Sequence, residues 1–532
     1  MFRLGSFSGG VHLHPHKEES SQAPLRTARL PKELIYPLQL RAAQSAEPCV
    51  QAGERVYKGQ VIARATNPMT PPLHASSSGV VRTIEERTLP HPSGLAGLCI
   101  VIDTDGTDES LPFAGIEDYS TLPADELRAL IHEAGIVGLG GAAFPTSIKV
   151  NPGEHRKIDT LILNGAECEP YISCDDSLLR NFPDAVLIGA KILMHILQAE
   201  RCLLGIENDM PAALATLENA ISRHDFSGIE IVPVPVIYPA GGEKQLIKLM
   251  TGREVPSNGM PADVGVVCQN VGTVAAIHKA VVHGEPLISR IVTVTGLGVR
   301  QPQNLLVRIG TPIAELIEQC GGYTPAVQRL ILGGPMMGFA LPSDELPIVK
   351  SANCVLAAGA QEIIGKQQAM PCIRCGECAS ACPAHLLPQQ LYWYSRADNL
   401  DRLLSYDLPD CIECGCCDYV CPSHIPLVQY FRSAKSKLAV RQRERQKADH
   451  ARIRFEAHQV RKEQEKLERA ESARRKKAML DKAPEIRQAM AKMMAQRSSR
   501  LAERSGQPDE SAASATEARE GSIAEERQSR EK

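Results

Sequence analysis

Residues 372–383 read CIRCGECASACP, and residues 411–422 read CIECGCCDYVCP. Both stretches have the spacing C-x2-C-x2-C-x3-C-P, so the second repeats the first at an offset of 39 residues. Three thiolates on one short loop can bind three irons of a [4Fe–4S] cubane, while the cysteine before proline reaches across to a second cluster. The repeat therefore predicts two clusters with crossed ligands. The predicted ligands are Cys372, Cys375, Cys378 and Cys421 for the first cluster and Cys411, Cys414, Cys417 and Cys382 for the second.

Other uses of these cysteines agree less well with the repeat. Disulfides form in oxidising compartments, and the first ten residues lack the apolar core of a secretory signal. Structural zinc sites use paired C-x2-C steps or Cys and His together, and they need neither a third step nor a trailing Cys-Pro. Cys416 stands between two predicted ligands, but Cys417 keeps the spacing, so we expect Cys416 not to bind iron.

The composition predicts a globular protein of several domains. The chain has 532 residues, of which 43% are hydrophobic, and this length allows about three to five domains. The net charge is −3 and no folded region has a sustained basic stripe, so we expect no nucleic-acid partner. No run of 18 apolar residues occurs, so we expect a cytoplasmic chain without a membrane span.

The middle of the chain divides into four predicted domains. Residues 31–118 resemble the barrel-sandwich hybrid of lipoyl and biotinyl carriers, but residues 66–74, where carriers place a modifiable lysine, contain none. Residues 119–286 alternate helical and strand patterns, which predicts an α/β domain with a ligand beyond the strand ends. Residues 287–345 predict a small α+β domain. Residues 362–435 carry the cysteine repeat between helices.

The two ends differ from these domains. Residues 1–30 form a predicted arm with three alternate histidines, for which a solvated or docking arm is favoured over a metal site. Residues 436–532 are rich in charge and alanine, which predicts a long helix or coiled coil followed by a disordered tail. The basic run at 474–477 leaves two alternatives open, contact with anionic lipid or a plain solvated face. The arm histidines are His12, His14 and His16.

Glycines and polar side chains recur at four points of the predicted α/β domain. Adjacent glycines let backbone N–H groups approach an anion, and polar side chains at strand ends or helix N-termini can bind ribose hydroxyls or phosphate. The alternatives are plain turns, helix capping and, for the lysine, a surface position. The candidate residues are Gly138, Gly140, Gly141 and Lys149; Asn164, Glu167 and Glu169; Gly241, Gly242 and Glu243; and Gln269, Asn270 and Thr273.

In their order, these four segments resemble the flavin- and NADH-binding subunit of respiratory complex I and NAD-reducing hydrogenases. The resemblance implies a non-covalent FMN site over the glycine loop and NADH as substrate. Three departures stand out. Ala166 replaces an aspartate of the family, Gly242 replaces a glutamate, and the loop arginines give way to Gly138-Leu139. They leave open whether the altered pocket places the nicotinamide as the family does.

The whole domain order is similar to that of the RnfC proteins, which belong to Rnf (Rsx) ion-translocating electron-transport complexes. This resemblance covers about residues 1–435 and implies a β-grasp-like (soluble-ligand-binding) fold for 287–345. It implies an iron–sulfur flavoprotein oxidoreductase on the cytoplasmic face of the bacterial inner membrane. Its implied partners are peripheral and integral-membrane subunits of the same complex, NADH and a low-potential carrier such as ferredoxin.

Two rival functions stay open at this point. The flavin and iron–sulfur cobalamin reductases of bacterial microcompartments resemble this domain order too, although the long charged tail favours a membrane complex. A non-catalytic iron–sulfur scaffold, whose flavin domain no longer binds nucleotide, is compatible with Ala166 and Gly242. Cluster potentials span about −700 to +450 mV, so the sequence does not set the direction of electron flow.

Overall fold

The structure is a computed structural model that describes residues 4–41, 44–153, 155–224, 226–363 and 368–502. The chain forms two compact units, Met1–Ala439 and Val440–Lys532. The arm, the four predicted domains and all predicted site residues belong to the first unit. The predicted disordered tail after residue 506 lies outside the described residues.

The N-terminal arm packs onto the rest of the first unit. The Gly5 N–H donates to the carbonyl of Leu249 at 2.8 Å, and Val11 and Tyr238 exchange backbone hydrogen bonds of 2.8 and 3.0 Å. The arm is therefore a docked segment, which is one of the forms expected from its sequence. Its elements are helix α1 (Glu18–Ser21) and strand β1 (Arg26–Thr27).

The barrel-sandwich domain consists of short antiparallel strands in three sheets, ordered β2-β10-β9-β6, β5-β7-β8 and β3-β4. Leu34, Ile62 and Ile100 are fully buried in the shared core. Successive residues of a strand face opposite sides, and Ile35, Cys99 and Val101 are buried in a second, smaller core, so β2 and β10 are covered on both faces. The strands are β2 (Glu33–Pro37), β3 (Gln39–Arg41), β4 (Gln44–Ser45), β5 (Glu47–Pro48), β6 (Arg55–Val56), β7 (Val61–Arg64), β8 (Leu73–His74), β9 (Gly79–Thr88) and β10 (Ala96–Thr104).

The hairpin that bears lysine in carrier domains is partly buried here, with residues 66–68 exposed at its tip. Residues 70–79 are buried. The Lys350 ammonium, which is itself buried, donates to the carbonyl of Pro72 at 2.9 Å and to that of Gly135 at 2.6 Å. This one side chain therefore ties the hairpin to the α/β domain of residues 119–286, which we call the flavin-type domain.

The flavin-type domain has a four-stranded parallel sheet in the order β13-β12-β11-β14. Successive residues of β11 face opposite sides, so Leu161 and Leu163 pack in one core and Ile162 in another with helix α7. Helices thus cover both faces, as parallel sheets require. The elements are α2 (Ala124–Glu133), α3 (Thr146–Lys149), β11 (Thr160–Gly165), α4 (Cys174–Asn181), α5 (Pro183–Leu197), β12 (Arg201–Glu207), α6 (Pro211–Arg223), β13 (Ile229–Val234), α7 (Glu243–Thr251), β14 (Val266–Asn270) and α8 (Val271–His283).

The α+β domain is built on a sheet of order β1-β16-β15-β19-β17-β18. Strand β1 of the arm pairs in parallel with β16 at one edge, and β19 lies beyond residue 345, the boundary expected from the sequence. The sheet thus recruits strands from both sides of the predicted range. The elements are β15 (Ser289–Thr295), β16 (Gln303–Arg308), α9 (Ile313–Gln319), β17 (Val327–Leu332), β18 (Phe339–Ala340) and β19 (Cys354–Gly359).

The cysteine repeat lies in a small helical domain around its own core, which includes Leu391, Leu403 and Phe431. The last helix is longer than expected, because it begins at Leu427 rather than near residue 436 and ends at Ala502. None of the helices in the described part of the chain has the length and hydropathy needed to cross a membrane. The elements are α10 (Glu377–Ser380), α11 (Pro388–Arg396), α12 (Leu400–Ser405), α13 (Cys416–Tyr419) and α14 (Leu427–Ala502).

Candidate flavin and iron–sulfur sites

One group of predicted iron ligands lines a cavity in the helical domain, beside the ring of Tyr392. Burial raises the pKa of the Cys378 thiol, and the charges of the other three cysteines raise it further. Thiols that oppose one another's ionisation are suited to a multivalent iron centre, because iron binds thiolates and compensates their charge. We call Cys372, Cys375, Cys378 and Cys421 the first quartet.

The other four predicted ligands form a second group. Burial raises the pKa of the Cys417 thiol, and the charges of Asp418 and of three further cysteines raise it more. Cys414 and Cys417 are buried. We call Cys411, Cys414, Cys417 and Cys382 the second quartet.

Each quartet takes one cysteine from the other repeat, and the two cysteine loops have the same backbone conformation. Cys382 belongs to the first repeat but lies with the cysteines of the second, whereas Cys421 does the reverse. Six residues have a positive φ at equivalent positions, two of them glycines and four with side chains. A left-handed conformation is rare outside glycine, so its recurrence at a spacing of 39 shows two copies of one loop. These residues are Arg374 and Glu413, Gly376 and Gly415, and His385 and His424.

The second quartet packs against the flavin-type domain and the arm. The Tyr238 hydroxyl donates to the carbonyl of Cys414 at 2.7 Å. The Gly10 N–H of the arm donates to the carbonyl of Ala381, next to a ligand position, at 3.0 Å. An apolar group that includes Val11 and Tyr238 surrounds Cys414. The second quartet is therefore in contact with the domain that carries the glycine loop.

The first quartet lies at the surface. Cys375 is exposed, and the side chains of Ile373 and Met370 are 68% and 59% exposed. Two equivalent loops thus have unequal surroundings, one facing the inside of the first unit and one facing solvent.

The glycine loop stands at the carboxyl edge of the parallel sheet. Its turn is closed by a hydrogen bond of 2.8 Å from the Gly138 N–H to the carbonyl of Phe144. The Leu139 N–H donates to the hydroxyl of Thr273 at 2.9 Å, which fixes the loop on α8. Gly141 has φ +105°, and a Cβ there would meet nothing within 4 Å among the described residues. The backbone at Gly141 is therefore open to close approach, which a nucleotide bound over the loop would need.

The other predicted segments meet the loop at the same edge. The Lys149 ammonium pairs with the Glu243 carboxylate at 2.6 Å. The Asn164 side-chain amide donates to the carbonyl of Gly241 at 2.8 Å. Gly242 stands at the N-cap of α7. The structure thus brings these predicted residues together, with the charge of Lys149 already paired to Glu243.

The end of β14 contributes both satisfied and unsatisfied polar groups. Asn270 accepts from the Gly272 N–H at 2.9 Å, so it caps α8, and its amide donates to Asp175 at 2.6 Å. Gln269 Nε2 and Thr146 Oγ1 are buried and have no hydrogen-bond partner within the described part of the chain. Buried polar atoms without partners are uncommon, so these two fit a ligand that supplies the missing bonds.

The two glutamates after β11 are engaged by the protein itself. Glu167 accepts from the N–H groups of Asp175 and Asp176 at 3.0 and 3.3 Å, so it caps α4, the alternative named for it from the sequence. Glu169 accepts from the Met336 N–H at 2.7 Å and so links the flavin-type and α+β domains. Burial raises the pKa of both carboxyl groups, that of Glu169 to about 7. In the described part of the chain, both carboxylates therefore accept hydrogen bonds from backbone N–H groups of the protein itself.

Three further residues at these sites were not predicted. Tyr238, between β13 and α7, contacts the second quartet. Arg290 is buried and donates to the carbonyl of Leu139 in the glycine loop at 3.0 Å. Lys350 anchors the hairpin. The sequence does contain a signal for Arg290 and Lys350. Each of them stands in an apolar run, where a charged residue needs a specific partner.

Models of known domain families match the chain in four places. They are the RnfC barrel sandwich hybrid domain at residues 5–107, the Nuo51 FMN-binding domain at 131–279, the SLBB domain at 291–340 and the 4Fe-4S dicluster domain at 371–425. Two similar curated proteins are both named as the C subunit of an ion-translocating oxidoreductase complex. That of Serratia proteamaculans is 48% identical over 90% of this chain and 67% of its own length, and that of Klebsiella pneumoniae is 46% identical over 90% and 63%.

The chain belongs to the RnfC family of ion-translocating oxidoreductase complexes. The predicted family, fold class and cofactor set are thereby confirmed, since this member has an FMN-binding domain and a domain for two [4Fe–4S] clusters. It spans 63% and 67% of the length of the two relatives above. A solved NAD+-reducing [NiFe]-hydrogenase is 19% identical over 53% of this chain and 54% of its own, with a TM-score of 0.40.

Proposed function

We propose that this RnfC protein passes electrons between NADH and a membrane-bound complex that couples their transfer to ion translocation. NADH is the proposed donor at the flavin-type domain. Peripheral and integral-membrane subunits of the same complex, and a low-potential carrier such as ferredoxin, are the proposed partners. The proposed location is the cytoplasmic face of a bacterial inner membrane.

The observation that carries this proposal is the contact between the glycine-loop domain and the second quartet. FMN, when bound, takes up two electrons as a hydride and releases them singly, which suits one-electron clusters. The glycine loop and the unpartnered Gln269 and Thr146 atoms support FMN at the sheet edge. Tyr238 and Val11 pack with Cys414 in one buried apolar cluster, so this side of the second quartet is in contact with the flavin-type domain and the arm.

We further propose that each quartet holds one [4Fe–4S] cluster and that the two act in a fixed order. The second quartet is in contact with the flavin-type domain, so it is the proposed neighbour of the flavin. The first quartet has exposed Cys375 and Ile373 at its surface, so it is the proposed contact for a partner. The proposed order of the two clusters follows from this difference, because the two cysteine loops are equivalent in sequence and differ in what surrounds them.

One anaerobic preparation of the full chain tests the proposal. We expect about eight irons and a matching amount of acid-labile sulfide per chain, from two cubanes, with one FMN. Addition of NADH should bleach first the absorbance of the flavin and then the broad absorbance of the clusters, because the flavin takes the hydride and the clusters take single electrons from it.

Two results would count against it. Clusters without flavin, and absorbance that NADH leaves unchanged, would point to an iron–sulfur scaffold. Reduction of an added cobalamin by NADH, in a protein that does not associate with membrane subunits, would favour a cobalamin reductase.

A further inference from the structure

Residues 479–494 of helix α14, which include Pro484, have an apolar face. At 3.6 residues per turn, the side chains of one group between residues 479 and 494 fall within an arc of about 100°, and no charged residue between these positions lies in that arc. Its large side chains are 52–74% exposed. We call this group the methionine stripe. It consists of Met479, Ala483, Ile486, Met490, Met493 and Met494.

Positive charge surrounds the methionine stripe. Residues 474–502 contain nine lysines and arginines but two acidic residues. Lys482 and Arg487 flank the stripe on its two sides, so their long stems can lie along the apolar surface with the charges outward. Asp481 and Glu485 point to the opposite side of the helix. Lys492 shares that side with them, so the segment separates its apolar side chains from its acidic ones while its basic side chains lie on both sides.

This arrangement matches an anionic membrane surface better than another helix. An in-plane amphipathic helix has an apolar face, basic flanks and low overall hydrophobicity, and anionic lipids attract clustered basic residues. A coiled coil needs an apolar seam over about three to four heptads, whereas the methionine stripe covers little more than two. Two copies of a segment so rich in cations would also repel each other.

We propose that residues 474–502 bind directly to an anionic lipid surface, with the methionine stripe in the interface and the basic flanks at the headgroups. This lipid contact is separate from the contacts with partner subunits that the proposed function requires. It resolves the alternative left open for the basic run at 474–477 in favour of lipid.

Co-sedimentation of the full chain with vesicles tests this. We expect binding to vesicles of phosphatidylcholine with phosphatidylglycerol to exceed binding to phosphatidylcholine alone at least tenfold, and to weaken as salt rises. Replacing Arg474, Arg475, Lys476 and Lys477 by Gln should lower the affinity for anionic vesicles at least tenfold, because each basic residue near the surface contributes roughly fivefold.

A pair of charge-neutral variants isolates the apolar face. The stripe variant Ile486→Gln, Met490→Gln, Met493→Gln should lose at least tenfold in affinity. The matched control Ala489→Gln, Ala491→Gln, Ala495→Gln changes three residues outside the stripe and should bind like the wild type. Equal losses in both variants, or equal binding to neutral and anionic vesicles, would overturn the proposal. So would a wild-type dimer in analytical ultracentrifugation that the stripe variant loses, because the stripe would then be a seam between copies.

Discussion

At the scale of single residues, the crossing of Cys382 and Cys421 has a direct spectroscopic consequence. We expect Cys375→Ala to lose about half of the iron, because it removes a ligand of the first quartet only. Cys382→Ala should weaken the same cluster as Cys414→Ala, although Cys382 belongs to the first repeat. Iron content and the electron paramagnetic resonance spectrum of each reduced variant measure this.

The neighbouring Cys416 provides a matched control. It is fully buried beside two members of the second quartet, and Cys416→Ala should keep both cluster signals. If the spectrum of Cys382→Ala instead resembled that of Cys375→Ala, the ligands would be uncrossed.

At the level of individual residues, the structure gathers the thiols that the spacing of the repeat places together, while their roles as iron ligands stay predictions. A short cysteine loop has few conformations, so its spacing was enough to predict which thiols gather. Glu169 shows the limit, because its partner Met336 is far away in sequence and no local pattern reveals a contact between two domains. Tyr238 escaped prediction for the same reason.

At the scale of elements, one buried ion pair links the docked arm to strand β12. The Lys17 ammonium lies 2.8 Å from the Glu207 carboxylate, whose side chain is fully buried, and 3.3 Å from Asp209. Removing one partner of a buried pair typically costs about 3–5 kcal/mol. In Lys17→Met we expect the arm amides of Gly5 and Val11 to exchange hydrogen about 100 times faster or more, as measured by mass spectrometry.

The pair of Arg29 with Glu318 supplies the comparison. Both side chains are at least 70% exposed, and exposed pairs contribute between zero and about 1 kcal/mol, so Arg29→Met should leave the exchange of the arm nearly unchanged. Similar exchange in the two variants would show that the buried pair does not hold the arm.

Elements with a clear apolar periodicity could be predicted from the sequence. Where the structure differs from the expectation, the difference has a physical cause. Strand β11 and helix α5 belong to the alternating strand and helix patterns predicted for residues 119–286, and their apolar residues are the ones that pack in the core. Strand β1 has two residues and becomes a strand through pairing with β16, so its own sequence contains too little information. Helix α14 begins early because its first turns are buried in the cluster domain.

At the scale of the whole molecule, Lys350 joins the barrel-sandwich hairpin to the flavin-type domain. Burial lowers the pKa of Lys350 from 10.5 to about 7. Between these values the unfolded chain binds a proton that the folded chain lacks, so this residue makes folding more favourable as pH rises. The stability of the wild type relative to Lys350→Met should therefore rise from pH 7 to pH 10 by about 1.4 kcal/mol per pH unit.

Thermal unfolding of both proteins at several pH values measures this difference. His74, which is buried nearby, has its pKa lowered to about 3 by burial and by the charge of Lys350, so it does not titrate in the same window. The exposed Lys157 provides a control, because Lys157→Met should show no such slope. A flat difference for Lys350→Met would mean that the buried ammonium keeps its proton throughout.

The immobilised hairpin changes what the barrel-sandwich fold contributes. In a carrier domain the modified lysine at the hairpin tip moves a bound group between sites, and the rate depends on the diffusion of that flexible arm. Here residues 70–79 are buried between domains, and the carrier lysine is absent from residues 66–74. Electrons that must tunnel between stationary centres depend on separations that do not fluctuate. The hairpin of this module is joined through Pro72 to Lys350, and Lys350 is joined to Gly135 of the flavin-type domain, so the module is held against that domain rather than left to swing.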